Sequence, residues 1–126
     1  MLFRSKFIPV DPNQDPLFKE QQQKDPEALF RSAIDDLCRV AASNHVKTVL
    51  LYLPTADELN VTNSVVLKVK REAHVKWNVP LVDITSEVQP LGKALYLESD
   101  PVHFNARGNE IIARRLFETV SNPAAP

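Results

Sequence analysis

Residues 46–54 read VKTVLLYLP, nearly all apolar and rich in β-branched and aromatic side chains. An alternating pattern would mark a strand with one wet face; a continuous apolar run marks a strand covered on both faces. Pro54 then stops the run, because proline has no N–H to give to a sheet ladder. This segment therefore predicts a parallel, central strand in an α/β sheet, and its flanks agree. Upstream, Asp25 stands as an N-cap before Pro26 at the first helical position, and Phe30, Ala33, Ile34, Leu37 and Ala41 recur every three or four residues. A helix over about 26–43 follows, with those residues as its core face. Downstream, the loop TADELNVT leads to Asn63, a plausible N-cap for a helix with Val66, Val69, Ala73 and Trp77 on one face and Lys68, Arg71 and Lys76 on the other. VPLVDI (79–84) predicts a second short strand ending in Asp83, and residues 85–99 a helix or irregular segment. The order helix, strand, helix, strand, helix is the repeating unit of a parallel sheet with right-handed crossovers.

Length and composition bound what this unit can do. At 126 residues the chain holds one small domain. The reading divides it into an irregular segment 1–24, a folded body 25–120 and a frayed tail 121–126. Fifteen Lys+Arg against sixteen Asp+Glu leave a net charge of −1, which gives no pull toward nucleic acid. The start, MLFRSKFIPV, has basic residues among its apolar ones, so it does not read as a signal peptide, and no apolar run reaches membrane-spanning length. A lone cysteine, Cys38, lies within the first helical pattern and has no partner for an intrachain disulfide.

Glycine excludes further classes. There are two, Gly92 and Gly108, where average usage predicts roughly nine. A phosphate-cradling loop or a dinucleotide fold needs clustered glycines so that backbone N–H groups can approach the phosphates, and neither pattern exists. His45, His74 and His103 are widely spaced, with no His-x-x-x-His or Cys-x-x-Cys, so no metal site is expected. Neither a metal nor a cofactor enters the reading. The basic run KVKREAHVK falls on the polar face of an amphipathic helix and reads as solvated surface.

Chemistry concentrates near the end. Residues 99–116 are SDPVHFNARGNEIIARRL: an acid, Asp100, three residues before His103, then a helix from near Asn105 carrying Ile111, Ile112, Leu116 and Val120. In parallel α/β sheets the loops at the carboxyl ends of strands carry function, and this loop can reach that rim. A histidine can serve as general base toward a hydroxyl nucleophile when a carboxylate fixes its tautomer and stabilises the imidazolium. The same Asp-Pro also reads as a plain turn opener.

The string Asp100, His103, Asn105, Gly108 and Ala113, placed after VKTVLLYLP and VPLVDI, resembles the C-terminal half of the SGNH (GDSL-type) hydrolase family. The resemblance covers about residues 25–120. It implies a flavodoxin-like three-layer sandwich with parallel strands, and a serine esterase or lipase-like enzyme acting on small-molecule or carbohydrate esters. By it His103 is the catalytic base and Asp100 its orienting acid. Asn105 and Gly108 look like helix-opening positions, and Asp83 resembles the acid that ends the last strand. The family's nucleophile lies in a Gly-Asp-Ser block after its first strand, and its oxyanion donors are a glycine and an asparagine from the next two blocks; none of these is present. LFRSKF (2–7) resembles the segment after the family's third strand, so the implied half-domain lacks its N-terminal strands. Among the serines Ser64 is the best stand-in, at a helix start, although it also reads as a second capping residue. Two functions follow as expectations: a hydrolase fragment completed by its other half, or an inactive module that pairs with another chain. In either, an apolar strand left with an unpaired edge favours self-association or a complementing chain.

Overall fold

The computed structural model describes residues 25–122. The readings placed on residues 1–24 and 123–126, among them LFRSKF, lie outside the described residues. Within them the chain is mixed α/β, mostly helical around a two-stranded parallel sheet. Helix α1 (Pro26–Ser43) leads to strand β1 (Leu50–Tyr52), a 3-10 turn (Ala56–Asn60), helix α2 (Val65–Trp77) and strand β2 (Leu81–Asp83). A short helix α3 (Thr85–Val88), a second 3-10 turn (Gly92–Leu95) and helix α4 (Ala106–Ser121) complete it.

The caps explain the helix bounds. The Asp25 side chain accepts from the Glu27 N–H, with Pro26 next to it at the first helical position. α2 begins one residue later than expected: Ser64, not Asn63, is its cap, and Ser64 Oγ accepts from the Leu67 N–H at 3.3 Å. α1 and α2 lie side by side and parallel. Glu27 pairs with Lys68, Arg31 with Glu72 and Asp35 with Lys76, and Asp35 also accepts from the Trp77 indole N–H at 2.7 Å.

The sheet is shorter than VKTVLLYLP and VPLVDI predict. β1 pairs with β2 in the register Leu50↔Leu81, Leu51↔Val82, Tyr52↔Asp83. Val46 and Leu53, both expected inside, are 59% and 42% exposed. The expected central strand is thus, among the described residues, a strand with one neighbour. The cause is pairing: a ladder extends only as far as a partner supplies donors and acceptors. Both faces of the pair are nevertheless covered. Leu50 and Leu81 pack with Cys38 of α1 and Ala73 of α2. On the opposite face Leu51 and Val82 meet Ile84, Val88, Leu95 and the inner side of α4 through Ile111, Ile112 and Leu116. Ile84, Val88 and Leu95 are fully buried, each contributing about 1.5–3 kcal/mol by transfer from water.

Two expected core positions on α1, Ala33 and Leu37, lie in the open, Leu37 at 55% exposure, and so does Val120 on α4. No described element reaches these positions.

α4 packs closely because residue 108 has no side chain. A Cβ there would stand 2.7 Å from the Leu95 carbonyl oxygen and 2.5 Å from Phe104 Cδ1. The carbonyl belongs to backbone and cannot move aside. Gly108→Ala is therefore expected to destabilise by about 1–3 kcal/mol despite alanine's better helix propensity. Chemical denaturation measures this, and an unchanged midpoint would remove the close-packing account.

Candidate active site

The segment from Leu95 to Asn105 folds back on itself in a tight antiparallel turn. Asn105 N–H donates to the Leu95 carbonyl and Leu97 N–H to the His103 carbonyl, both at 2.9 Å, and Tyr96 bridges Phe104. The Tyr96 and Phe104 rings stack with centroids 4.5 Å apart. Two bonds fasten this turn to the carboxyl end of β1. Tyr96 O–H donates to the Pro54 carbonyl at 2.8 Å, and Ala56 N–H donates to the Pro101 carbonyl at 2.8 Å. Burial pushes the Tyr96 hydroxyl up to about 12, so it remains a donor throughout the neutral range. The loop thus stands on the rim where parallel sheets gather functional groups.

At its tip Asp100 engages both of its carboxylate oxygens. Oδ1 accepts from the Val102 and His103 backbone N–H groups at 2.9 and 3.1 Å, which closes the turn. Oδ2 lies 2.6 Å from His103 Nδ1. The Val102 backbone bond, then the His103 ring and backbone bonds, hold the Asp100 carboxyl below its usual range. An ionised carboxylate accepts only, so Nδ1 carries a proton; in the neutral ring Nε2 then has its lone pair free to face outward. The His103 side chain is 71% exposed, which leaves that nitrogen accessible. Ser99, just before the acid, is held at φ +61°, a left-handed conformation that costs a non-glycine residue about 1–2 kcal/mol.

Asn105 supports the turn from below. Its Oδ1 accepts from the Gly108 N–H at 3.1 Å as the cap of α4, and its Nδ2 donates to the Ala94 and Tyr96 carbonyls at 2.8 and 3.2 Å. The side chain joins the first turn of α4 to the strand-like arm carrying Tyr96. Beside Asp100 an open depression of about 450 Å³ is walled by Ala56, Lys93, Tyr96, Leu97 and Pro101.

The structure brings Asp100 and His103 together; among the described residues Ser99, next to Asp100 in the chain, lines the same depression, and the serines with hydrogen-bonded side chains are engaged elsewhere. Ser64 Oγ is engaged in capping α2, Ser43 donates to the Arg39 carbonyl and Ser86 to the Glu87 carboxylate. Asp83 closes the end of β2: its Oδ1 accepts from the Thr85 N–H and hydroxyl, and Arg71 lies 3.6 Å away. His74 is tied through Nδ1 to the Val79 carbonyl. Among the described residues no group of three or more metal-ligating side chains comes together. The anchoring of the loop by Tyr96 and Phe104, and by the Pro54 carbonyl that Tyr96 reaches, escaped the sequence reading. Their signal is faint: two aromatics eight apart that bracket an Asp-Pro turn.

Comparison with family models, with curated proteins and with solved structures brings no match for this chain. Likewise no described helix is long and apolar enough to cross a membrane.

Two outcomes check this geometry. In Asp100→Asn the amide donates toward Nδ1, so the His103 proton is expected to move to Nε2; ring 15N shifts report the tautomer, and an unchanged tautomer would contradict the assigned contact. The pH dependence follows from the depressed carboxyl. Its contribution to loop stability is present above the ordinary carboxylate range and is lost as pH falls through the lower, folded-state value. A loop whose Val102 and His103 amide shifts stay constant down to pH ~2 would refute it.

Proposed function

We propose that this chain carries the general base and the orienting acid of an SGNH (GDSL-type) serine ester hydrolase. The observation that carries the reading is the 2.6 Å contact between His103 Nδ1 and Asp100 Oδ2, with Nε2 open to solvent at the carboxyl end of β1. The two-stranded parallel sheet with helices on both faces is read as the C-terminal half of a flavodoxin-like sandwich. The nucleophile and the oxyanion donors belong to the other half, on the same polypeptide or on a complementing chain.

In that assembly Nε2 takes the proton of the serine hydroxyl as the oxygen attacks the ester carbonyl. Asp100 holds the ring in the tautomer that permits this and stabilises the imidazolium formed. The same nitrogen returns the proton to the departing alcohol, and a water repeats the sequence to release the acid. The depression beside Asp100, with apolar walls from Tyr96, Leu97 and Pro101, suits part of a small-molecule or carbohydrate ester.

A second reading is an inactive module of the same fold that pairs with another chain. The observation favouring it is that Ser64, the best-placed serine, is spent on capping α2.

The test begins with a fluorophosphonate ester, which reacts with activated serines. The chain alone is expected to remain unlabelled, and labelling of Ser64 would give it a nucleophile of its own and replace this proposal. With the nucleophile-bearing half present, His103→Ala is expected to lower ester turnover by roughly 100-fold or more without loss of fold, because the ring is exposed. Turnover unaffected by the substitution would remove His103 from the chemistry.

A further inference from the structure

The outer face of α4 is apolar where a surface helix is normally polar. At about 100° per residue, Ala106, Ala113, Phe117 and Val120 fall within an arc of about 60°, turned away from Gly108 and Ile112, which meet the core. Phe117 is 69% exposed and Val120 61%. The stripe is uneven, small in its first half and bulky in its second. Along one flank of it run Arg107, Glu110, Arg114 and Glu118, alternating in sign and all exposed. Among the described residues none of these four stands in an ion pair.

Size and charge both reverse along the helix, and one arrangement satisfies both. Turned end over end, a row reading plus, minus, plus, minus reads minus, plus, minus, plus. A copy laid antiparallel therefore sets Arg107 against the partner's Glu118 and Glu110 against the partner's Arg114, and the two-fold axis makes each pair twice. The same reversal brings Phe117 and Val120 over the partner's Ala106. Ala113, near the crossing, lets the two helix axes approach to about 8 Å. A two-fold axis across the helices keeps both charged flanks on one side, as this matching requires. A parallel pair would instead set that flank against the partner's Asn109 and the partner's Thr119, which bear no charge.

We propose that the outer face of α4 pairs with the same face of a second copy of this chain, antiparallel, about a two-fold axis near residues 112–113. α4 has 16 residues and is about 24 Å long, so a contact through this helix alone is smaller than a standard interface and the dimer is weak and reversible. The inference rests on α4 and not on the hydrolase reading, and it holds equally for an enzyme and for an inactive module.

Sedimentation of the full chain over a concentration series at low ionic strength, where surface charge is least screened, tests it. Monomer and dimer are expected in exchange, with half-association at or below ~1 mM chain. Arg114→Glu and Glu110→Arg each bring like charges together twice, and each is expected to weaken association at least about tenfold. Mixed in equal amounts, the two variants are expected to recover it, because every glutamate of one then meets an arginine of the other. Both positions are exposed, and an unchanged circular dichroism spectrum reports an intact fold. A chain still monomeric at ~1 mM overturns the proposal, including one in which Phe117 ring signals show contact with another segment of the same chain. Association that either reversal leaves intact also overturns it, since the contact then lies elsewhere. A mixture no more associated than its components overturns the antiparallel pairing. None of these outcomes bears on ester turnover, so the two readings fail separately.

Discussion

The hydrogen bond from the Tyr96 hydroxyl to the Pro54 carbonyl joins the end of the β1 segment to the turn that holds Asp100 beside His103. Pro54 ends the segment of β1, and Tyr96 opens the turn that carries Asp100 and His103. A buried hydroxyl without a partner costs about 1–3 kcal/mol, so the bond holds chiefly because the alternative is poor. Around it the Tyr96–Phe104 stack, the Asn105 bonds to Ala94 and Tyr96, and the absent side chain at Gly108 all fix the same short segment. An exposed loop would otherwise hold two side chains in register only at considerable entropic cost. Here the ordering is borne by buried aromatics, and the polar tip inherits it.

The core is divided unequally about the sheet. On the α4 face the cluster around Ile84, Val88 and Leu95 is closed over completely. On the other face α1 is attached mainly by its ion pairs with α2 and by Cys38, while its apolar flank faces water. Exposed pairs of that kind are screened by water and contribute little, less than the burial of one leucine. Among the described residues stability therefore gathers beneath the candidate site, and the α1 side of the sheet is the weaker one.

Much of this was legible in the residues, for reasons that can be named. Asp25-Pro26 and Asn105 with Gly108 are local signals, decided within one helical turn, and α1 and α4 begin where those signals lie. The proximity of Asp100 and His103 is local too, since three residues in a turn hardly separate them. The strand lengths were not legible, because pairing depends on neighbours that a strand's own residues do not encode; VKTVLLYLP is apolar enough for a fully buried strand, yet three of its residues pair. Ser64 displaced Asn63 as a cap because two adjacent capping residues differ only in which N–H they reach. The anchoring by Tyr96 was invisible for a different reason: its partner is a carbonyl 42 positions away, and backbone acceptors leave no trace in a sequence.

The three ion pairs between α1 and α2 share one offset: Glu27 to Lys68, Arg31 to Glu72 and Asp35 to Lys76 are each separated by 41 positions. Two parallel helices of equal pitch keep such a ladder in phase along their whole contact. The loops of the connection between them, 44–49 and 61–64, which flank the paired β1 segment and its anchors, can therefore gain or lose residues without disturbing any rung. A single insertion within either helix would swing every later rung about 100° out of line. Length variation is thus permitted between the two helices and penalised inside them, a constraint written in charge rather than in the apolar core.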